Sequence, residues 1–412
     1  MEKALKYGET AGFPKILEEG LRARTGKMPA SSEEAASRAK GMERGVYALF
    51  RTRKRLQEKK RAALEKLWGE PAAAVIFHAH TCGASNGYRG SPDGVLSISM
   101  DSEKDAGRPW LPKFLKSIRC DAAFISDHDA CGKEQMAKLG EAAARVSGMP
   151  GYPSLFAGTE LSSADGHILV LPRGKPLENV PPPGTPSLEI AEWAFKNGHD
   201  VLIPHPNRPK MDPRRMAMAA FGIDISLERE CVDAILALAE KFDRIVYVAC
   251  ANGTTLTDYR ANLIRKKENG REPEIFARRA AWIAEADGHI ACEYPSNVVY
   301  FRKSLVAGAD GKVSAEKIAE AVARQKKEEY EAYLRHETVP EKDRLFVSYA
   351  SEKDFGARER LLYARYFVAE YSRLAIVWAR ELARGQKPSG FEARKPEKEL
   401  SRVMRYEAEE GK

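Results

Sequence analysis

No apolar run in the chain approaches the roughly 20 residues that a membrane-spanning helix needs, so no spanning segment is expected. The opening residues, Met1-Glu2-Lys3-Ala4-Leu5-Lys6-Tyr7, lack the apolar core of a signal peptide. The six cysteines have no paired spacing, which argues against a disulfide framework. Together these absences predict reduced thiols and a cytoplasmic protein. There is no internal repeat. Histidine is also scarce, with eight in 412 residues, so where those eight stand carries information.

The composition is 43% hydrophobic and 31% charged, that of a globular protein with long charged helices. The length suits one large core with appendages, or two to three average domains. The net charge of +8 weakly favours anionic partners. Residues 1–70 read as a helical extension, with Ser31-Ser32-Glu33-Glu34 as a capped start. Its segment 51–61 is densely basic. That segment is either a phosphate-contacting surface or, more simply, a solvated face. No aromatic residue interleaves with the charges, so stacking on single-stranded bases is not supported.

The chain then settles into a grammar of apolar strand, acidic or imidazole strand end, and helix. Residues 72–77 form the first apolar run and deliver His78 and His80. On a regular strand these two would share a face, as two neutral nitrogens aimed at one metal should. Residues 122–126 end in Asp127-His128-Asp129, and 154–161 carry Glu160 near their end. His167 precedes the apolar run 168–172, and 201–204 end in His205, with Arg208 close behind. A carboxylate at such a place is costly unless paired or bound to a cation. His199 reads as a helix-end histidine, its charge suited to the helix dipole. Residues 244–250 are a further strand, 275–285 read as a helix leading to Asp287 and His289, and 298–301 as a possible last strand. Residues 314–327 are a capped helix, and 331–412 read as a helical C-terminal extension. Strands alternating with helices imply a parallel sheet, closed or nearly so, with its chemistry at the C-terminal strand ends. The candidates outnumber the four ligands that satisfy one zinc, so two or three divalent metal ions are expected.

The order His78-Ala79-His80-Thr81, Ser126-Asp127-His128-Asp129, Gly158-Thr159-Glu160-Leu161, His167 before an apolar strand, Pro204-His205-Pro206 and Asp287-Gly288-His289 resembles the PHP (polymerase and histidinol phosphatase) family. The resemblance covers roughly residues 72–330 and implies an α/β fold, a distorted (β/α)7 barrel spanning 71–330 with helical N- and C-terminal extensions. It further implies a metal-dependent phosphoesterase with a zinc, manganese or iron centre. His78, His80, His128, Glu160, His167, His205, Asp287 and His289 would be the metal ligands, and Glu160 a bridge. Asp127 and Arg208 would serve catalysis, and Asp129 would brace a loop. The expected substrate is a phosphorylated small molecule or nucleotide. Nucleic acid is an alternative, as is a silent metal-binding module that serves a partner. Two departures stand out. Ser85 and Asn86 occupy a spacing where many members carry a ligand, which leaves Asp93 open as a ligand. The last motif has Glu285-Ala286 where Gly-Ser is common. Cys82, Cys131 and Cys292 follow supposed ligands and read as small fillers.

Overall fold

The structure, a computed structural model, describes residues 32–80, 115–116, 118–209, 225–253, 258–264, 272–287 and 295–364. Helix α1 (Ser32–Trp68) leads into strand β1 (Ala72–Ala79). β2 (Ala122–Ile125), helix α2 (Lys133–Ser147), β3 (Ser154–Ala157), β4 (Thr159–Ser162) and β5 (His167–Leu171) follow. Helix α3 (Ser187–Lys196) precedes β6 (Asp200–Ile203), and α4 (Arg229–Lys241) precedes β7 (Val246–Asn252). The short helices α5 (Tyr259–Leu263) and α6 (Glu274–Arg279) lead to β8 (Ala280–Glu285). β9 (Asn297–Arg302), α7 (Lys303–Val306), α8 (Ala315–Leu334) and β10 (Phe346–Ala350) follow, and a short 3-10 turn (Ser351–Asp354) comes after β10.

The architecture is mixed α/β with two five-stranded sheets, ordered β10-β9-β1-β2-β3 and β4-β5-β6-β7-β8. Within them β1, β2 and β3 run parallel, as do β6, β7 and β8. β9, β10 and the β4-β5-β6 pairings are antiparallel, so the sheet is less uniformly parallel than the strand-helix alternation implies. Hydrogen bonds also cross from sheet to sheet. The Ala286 N–H donates to the Phe77 carbonyl at 3.1 Å, and His128 pairs with Glu160 in an isolated parallel bridge.

Strand β1 shows why the sheets face each other. All eight of its residues are buried, and the first six alternate between two apolar layers. Ala73, Val75 and Phe77 join Leu169, Leu202, Tyr247 and Ile283 of the second sheet. Ala72, Ala74 and Ile76 face Leu64 and the helix residues Met136, Ile190 and Ile235. A strand buried on both faces must be apolar throughout, which is the composition seen. Between β3 and β4 the chain breaks at Gly158, where a Cβ would lie 2.8 Å from the Val170 carbonyl oxygen. No larger residue fits there without moving backbone.

Three segments depart from the sequence reading. Residues 280–285, read as helix, are strand β8: the Ala-rich run is locally ambiguous, and pairing with β7 along its length decides it. Residues 346–350, placed in a helical tail, form β10 against β9. Gln325 of α8 secures that strand, its Oε1 accepting from both the Leu345 and Phe346 N–H at 2.7 Å. Residues 154–161, read as one strand, are β3 and β4 of different sheets, and β5, which His167 starts as its place before an apolar run implies, runs antiparallel to β4 and so brings its N-terminus to Glu160.

Helix α1 packs through Leu49, Arg53, Gln57, Leu64 and Trp68, a buried stripe at helical spacing. Much of the basic segment is committed to the protein itself. Arg53 pairs with Glu352, Arg55 with Glu359, Lys60 with Glu341 and Arg61 with Asp121. Segment 51–61 is therefore in large part a docking face, a role its charge pattern did not suggest. No helix among the described residues is long and apolar enough to cross a membrane.

Candidate metal centre

The site is built at strand ends whose backbone departs from regular extension. His78, His205 and Asp287 take φ of 67°, 31° and 46°, in the left-handed region that non-glycine residues seldom occupy. The β1–β2 register also shifts between Ile76 and Ala79. At His78 this turn breaks the strict alternation of β1. The side chain therefore leaves the register that Ile76 begins and joins the site. Such conformations cost of order 1–3 kcal/mol each and concentrate at functional sites.

Five imidazoles form a closed circuit. Ring centroids are 4.8 Å apart for His78–His80, 4.6 Å for His80–His128, 5.4 Å for His128–His167, 5.5 Å for His167–His205 and 6.4 Å for His205–His78. Glu160 sits at the hub. Its Oε2 lies 3.0 Å from His78 Nε2, 3.4 Å from His80 Nε2 and 3.1 Å from His128 Nδ1. Its Oε1 lies 2.8 Å from His167 Nδ1 and 3.6 Å from His205 Nε2. Asp287 Oδ1 stands 3.6 Å from the Nε2 atoms of both His78 and His80. All of these side chains are buried.

The electrostatics follow from that burial. Burial opposes protonation of His78, but Glu160, Asp287 and Glu285 outweigh it and hold its pKa well above the usual value. Burial likewise opposes ionisation of Glu160, yet His128, His78 and His167 hold its carboxyl well below the usual range. At His167 burial wins over Glu160, and the pKa is lowered. The protein thus concentrates unlike charge and neutral imidazole in a dry place.

The donor set fits divalent cations. Three overlapping groups each bring ligand atoms within 4.8 Å of one another: His78, His80 and Asp287; His80, His128 and Glu160; Glu160, His167 and His205. His78 Nε2 and His80 Nε2 face each other at 2.9 Å, close to the ~3.3 Å expected of two nitrogens on one tetrahedral zinc. His167 Nε2 and His205 Nδ1 are buried with no hydrogen-bond partner among the described residues. A buried polar atom left so costs about 1–3 kcal/mol, which a bound ion or ligand removes.

The sequence reading missed Glu285. Its Oε2 accepts from His78 Nδ1 at 2.8 Å, and its Oε1 from the His205 N–H at 2.9 Å and Asn252 Nδ2 at 2.8 Å. Asn252 also donates to Asp287 Oδ2 at 2.9 Å. Glu285 thereby fixes the His78 tautomer with Nε2 toward the centre, the role of the carboxylate behind a metal-bound histidine. A lone acid ending an Ala-rich apolar run was the available signal, obscured by reading the run as helix.

The remaining expectations divide. Asp127 is buried beside His128, and its carbonyl accepts from the Glu160 N–H at 3.2 Å. Asp129 braces a loop as expected, holding the Ser162 N–H at 2.8 Å. Arg208 is fully buried, its N–H donating to Ser226 Oγ at 2.8 Å, and that hydroxyl donates to the His205 carbonyl at 2.8 Å. Cys131 packs against the core. His289, Asp93, Cys82 and Cys292 lie outside the described residues. His199 is not the helix-end cation expected. Burial, with Lys175 and Arg244 nearby, pushes its pKa down to about 4, so it is neutral at pH 7. No protein-family model matches the chain, and no curated protein matches it.

Proposed function

We propose that this chain is a metal-dependent phosphoesterase of the PHP type, with two or three divalent ions in the site around Glu160. One observation carries the reading: five buried imidazoles encircle a single carboxylate and fall into three overlapping ligand groups. A merely structural core has no use for that arrangement, because each buried imidazole adds desolvation without apolar gain. The two sheet-to-sheet seams are consistent with a distorted (β/α)7 barrel in which β1, β2 and β4 to β8 surround the apolar interior.

His78, His80 and Asp287 would hold one ion, His80, His128 and Glu160 a second, and Glu160, His167 and His205 a third. Divalent ions there would supply an activated water and polarise a phosphoryl oxygen. Asp127, beside His128, would orient the attacking water or take its proton. Arg208 would meet the non-bridging phosphate oxygens as a planar fork. Glu285 and Asn252 would keep His78 and Asp287 aimed, and the surrounding apolar layer would exclude bulk water.

A phosphorylated small molecule or nucleotide is the preferred substrate class. A polynucleotide gains less from α1 than its charge suggests, since at least four of the seven basic residues in 51–61 are in ion pairs. The test is elemental analysis of the purified chain followed by assays on phosphomonoesters and phosphodiesters with zinc, manganese and iron. At least two equivalents of metal, with hydrolysis lost in His205→Ala, is the expected result. Full activity in metal-loaded His205→Ala would refute the reading. Bound metal with no turnover of any phosphoester would leave a metal-binding module in its place.

A further inference from the structure

Helix α1 reaches the wall of the candidate metal centre through Arg53. Arg53 is a fully buried cation on its packing stripe. Its Nη2 donates to the Gly253 carbonyl at 3.0 Å and to Glu352 Oε1 at 2.5 Å. Gly253 directly follows Asn252, the residue that grips both Glu285 and Asp287. The Gly253 N–H donates to the Glu285 carbonyl at 3.0 Å, and Asn297 Nδ2 donates to that same carbonyl at 2.7 Å. The turn is tightly enclosed: a Cβ on Gly253 would lie 2.1 Å from Ser296 Oγ and 2.2 Å from the Ala286 carbonyl oxygen. On the far side the Ser351 N–H donates to the Ser296 carbonyl at 2.8 Å, which ties the Glu352 turn to the same wall.

We infer that Arg53 is a positioning residue for the metal centre, acting through the Gly253 carbonyl and Asn252 to set the aim of Glu285 and Asp287. This rests on the metal reading of the site proposed above. The geometry favours it over a purely structural anchor. A guanidinium that only fastened α1 needs just Glu352, and Lys60 and Arg61 already fasten the same helix through Glu341 and Asp121. Arg53 instead spends a bond of the same Nη2 on a backbone carbonyl one residue from a ligand-orienting amide. Helix α1, which lies outside the two sheets, thereby becomes part of the site's support. Partners that orient metal ligands are worth about 10–100-fold in metal affinity, and one step further out the lower end applies.

The test uses the full chain, stripped of metal and titrated with Co²⁺, whose d–d absorption reports ligand geometry without any assay of turnover. Arg53→Met is expected to bind Co²⁺ about 10-fold more weakly, with an altered spectrum, and Arg53→Lys to recover most of the loss. Lys60→Met removes a bond of the same helix outside the relay and is expected to bind as wild type does. In an Asn252→Ser background, Arg53→Met should add little further loss, because the two act in one line. Should Arg53→Met fail to fold, Glu352→Gln, which keeps the shape and removes the anchor charge, should show a smaller shift in the same direction. Co²⁺ binding unchanged in folded Arg53→Met, equal losses in Lys60→Met, or full additivity with Asn252→Ser would each overturn the inference. A wild-type chain that takes up no Co²⁺ would instead sink the metal reading itself, a failure visible before any variant is made.

Discussion

Nδ1 of His78 lies 2.8 Å from Oε2 of Glu285, and both side chains are fully buried. His78 is thereby held between two carboxylates, since its Nε2 lies 3.0 Å from Glu160. An imidazole gripped at Nδ1 presents Nε2 in a fixed direction, which is the preorganisation that a metal ligand requires. Replacing Glu285 by Gln keeps the volume and removes the charge. The expected result is a 10–100-fold loss in affinity for zinc or manganese with the fold retained, read by competitive metal titration. Affinity equal to that of wild type would show that the pair is only structural.

Glu160 touches all five imidazoles of the circuit, so its loss should not be local. Glu160→Gln is expected to lower the number of metal equivalents per chain by at least one, measured by elemental analysis after gel filtration. A full complement of tightly held metal would show that the hub carboxylate is not a ligand.

Metal and stability should be coupled. Without cations the buried donors must satisfy one another, and His167 Nε2 and His205 Nδ1 do not. A ligand that binds only the folded chain stabilises it by about 2.7 kcal/mol at 100 times its Kd. Chelation is therefore expected to lower the Tm by several degrees, and added zinc or manganese to restore it. A Tm indifferent to both would argue against a preformed site.

The pH dependence away from the centre can be signed from His199 and Asp200. Burial lowers His199 to about 4, with Lys175 and Arg244 adding to the effect. Burial raises Asp200 to about 6 against the opposing pull of Arg173 and Arg244. Between pH 4 and 6.5 the unfolded chain binds more protons at the histidine, so that group's contribution rises with pH. Between pH 4 and 6 the folded chain binds more protons at the aspartate, so its contribution falls with pH. The two contributions oppose each other. Asp200→Asn is expected to leave stability rising with pH across this window, and His199→Gln to leave it falling, relative to wild type. Urea denaturation at a series of pH values reads both slopes, and identical slopes in the two variants would show that the shifts are not there.

Gly253 offers a steric test of the wall behind Asn252. With a Cβ placed 2.1 Å from Ser296 Oγ and 2.2 Å from the Ala286 carbonyl, backbone must move. Gly253→Ala is expected to cost about 1–3 kcal/mol in chemical denaturation, the usual range for overpacking. A cost near zero would mean that the turn is looser than its contacts indicate.

Local pattern carried much of this protein. The apolar runs ending in His78, His128, Glu160 and His205 named three of the circuit's imidazoles and its hub carboxylate, because a buried strand must be apolar and an imidazole or acid at its end is conspicuous. The helix α1 and the Ser314 cap of α8 were legible for the same reason, since each depends only on residues within a few turns. Tertiary structure decided the rest. Whether Ala280–Glu285 is helix or strand depends on a partner strand far along the chain, and with it the place of Glu285. The antiparallel course of β5 brings His167 to the rim, and only pairing fixes a strand's direction. Arg53 and Glu352 are 299 residues apart, so nothing local could reveal that one basic residue in a charged helix is a buried tether to the site. Side-chain chemistry is written in order along the chain, whereas the direction in which each group points is set by hydrogen bonds between distant segments.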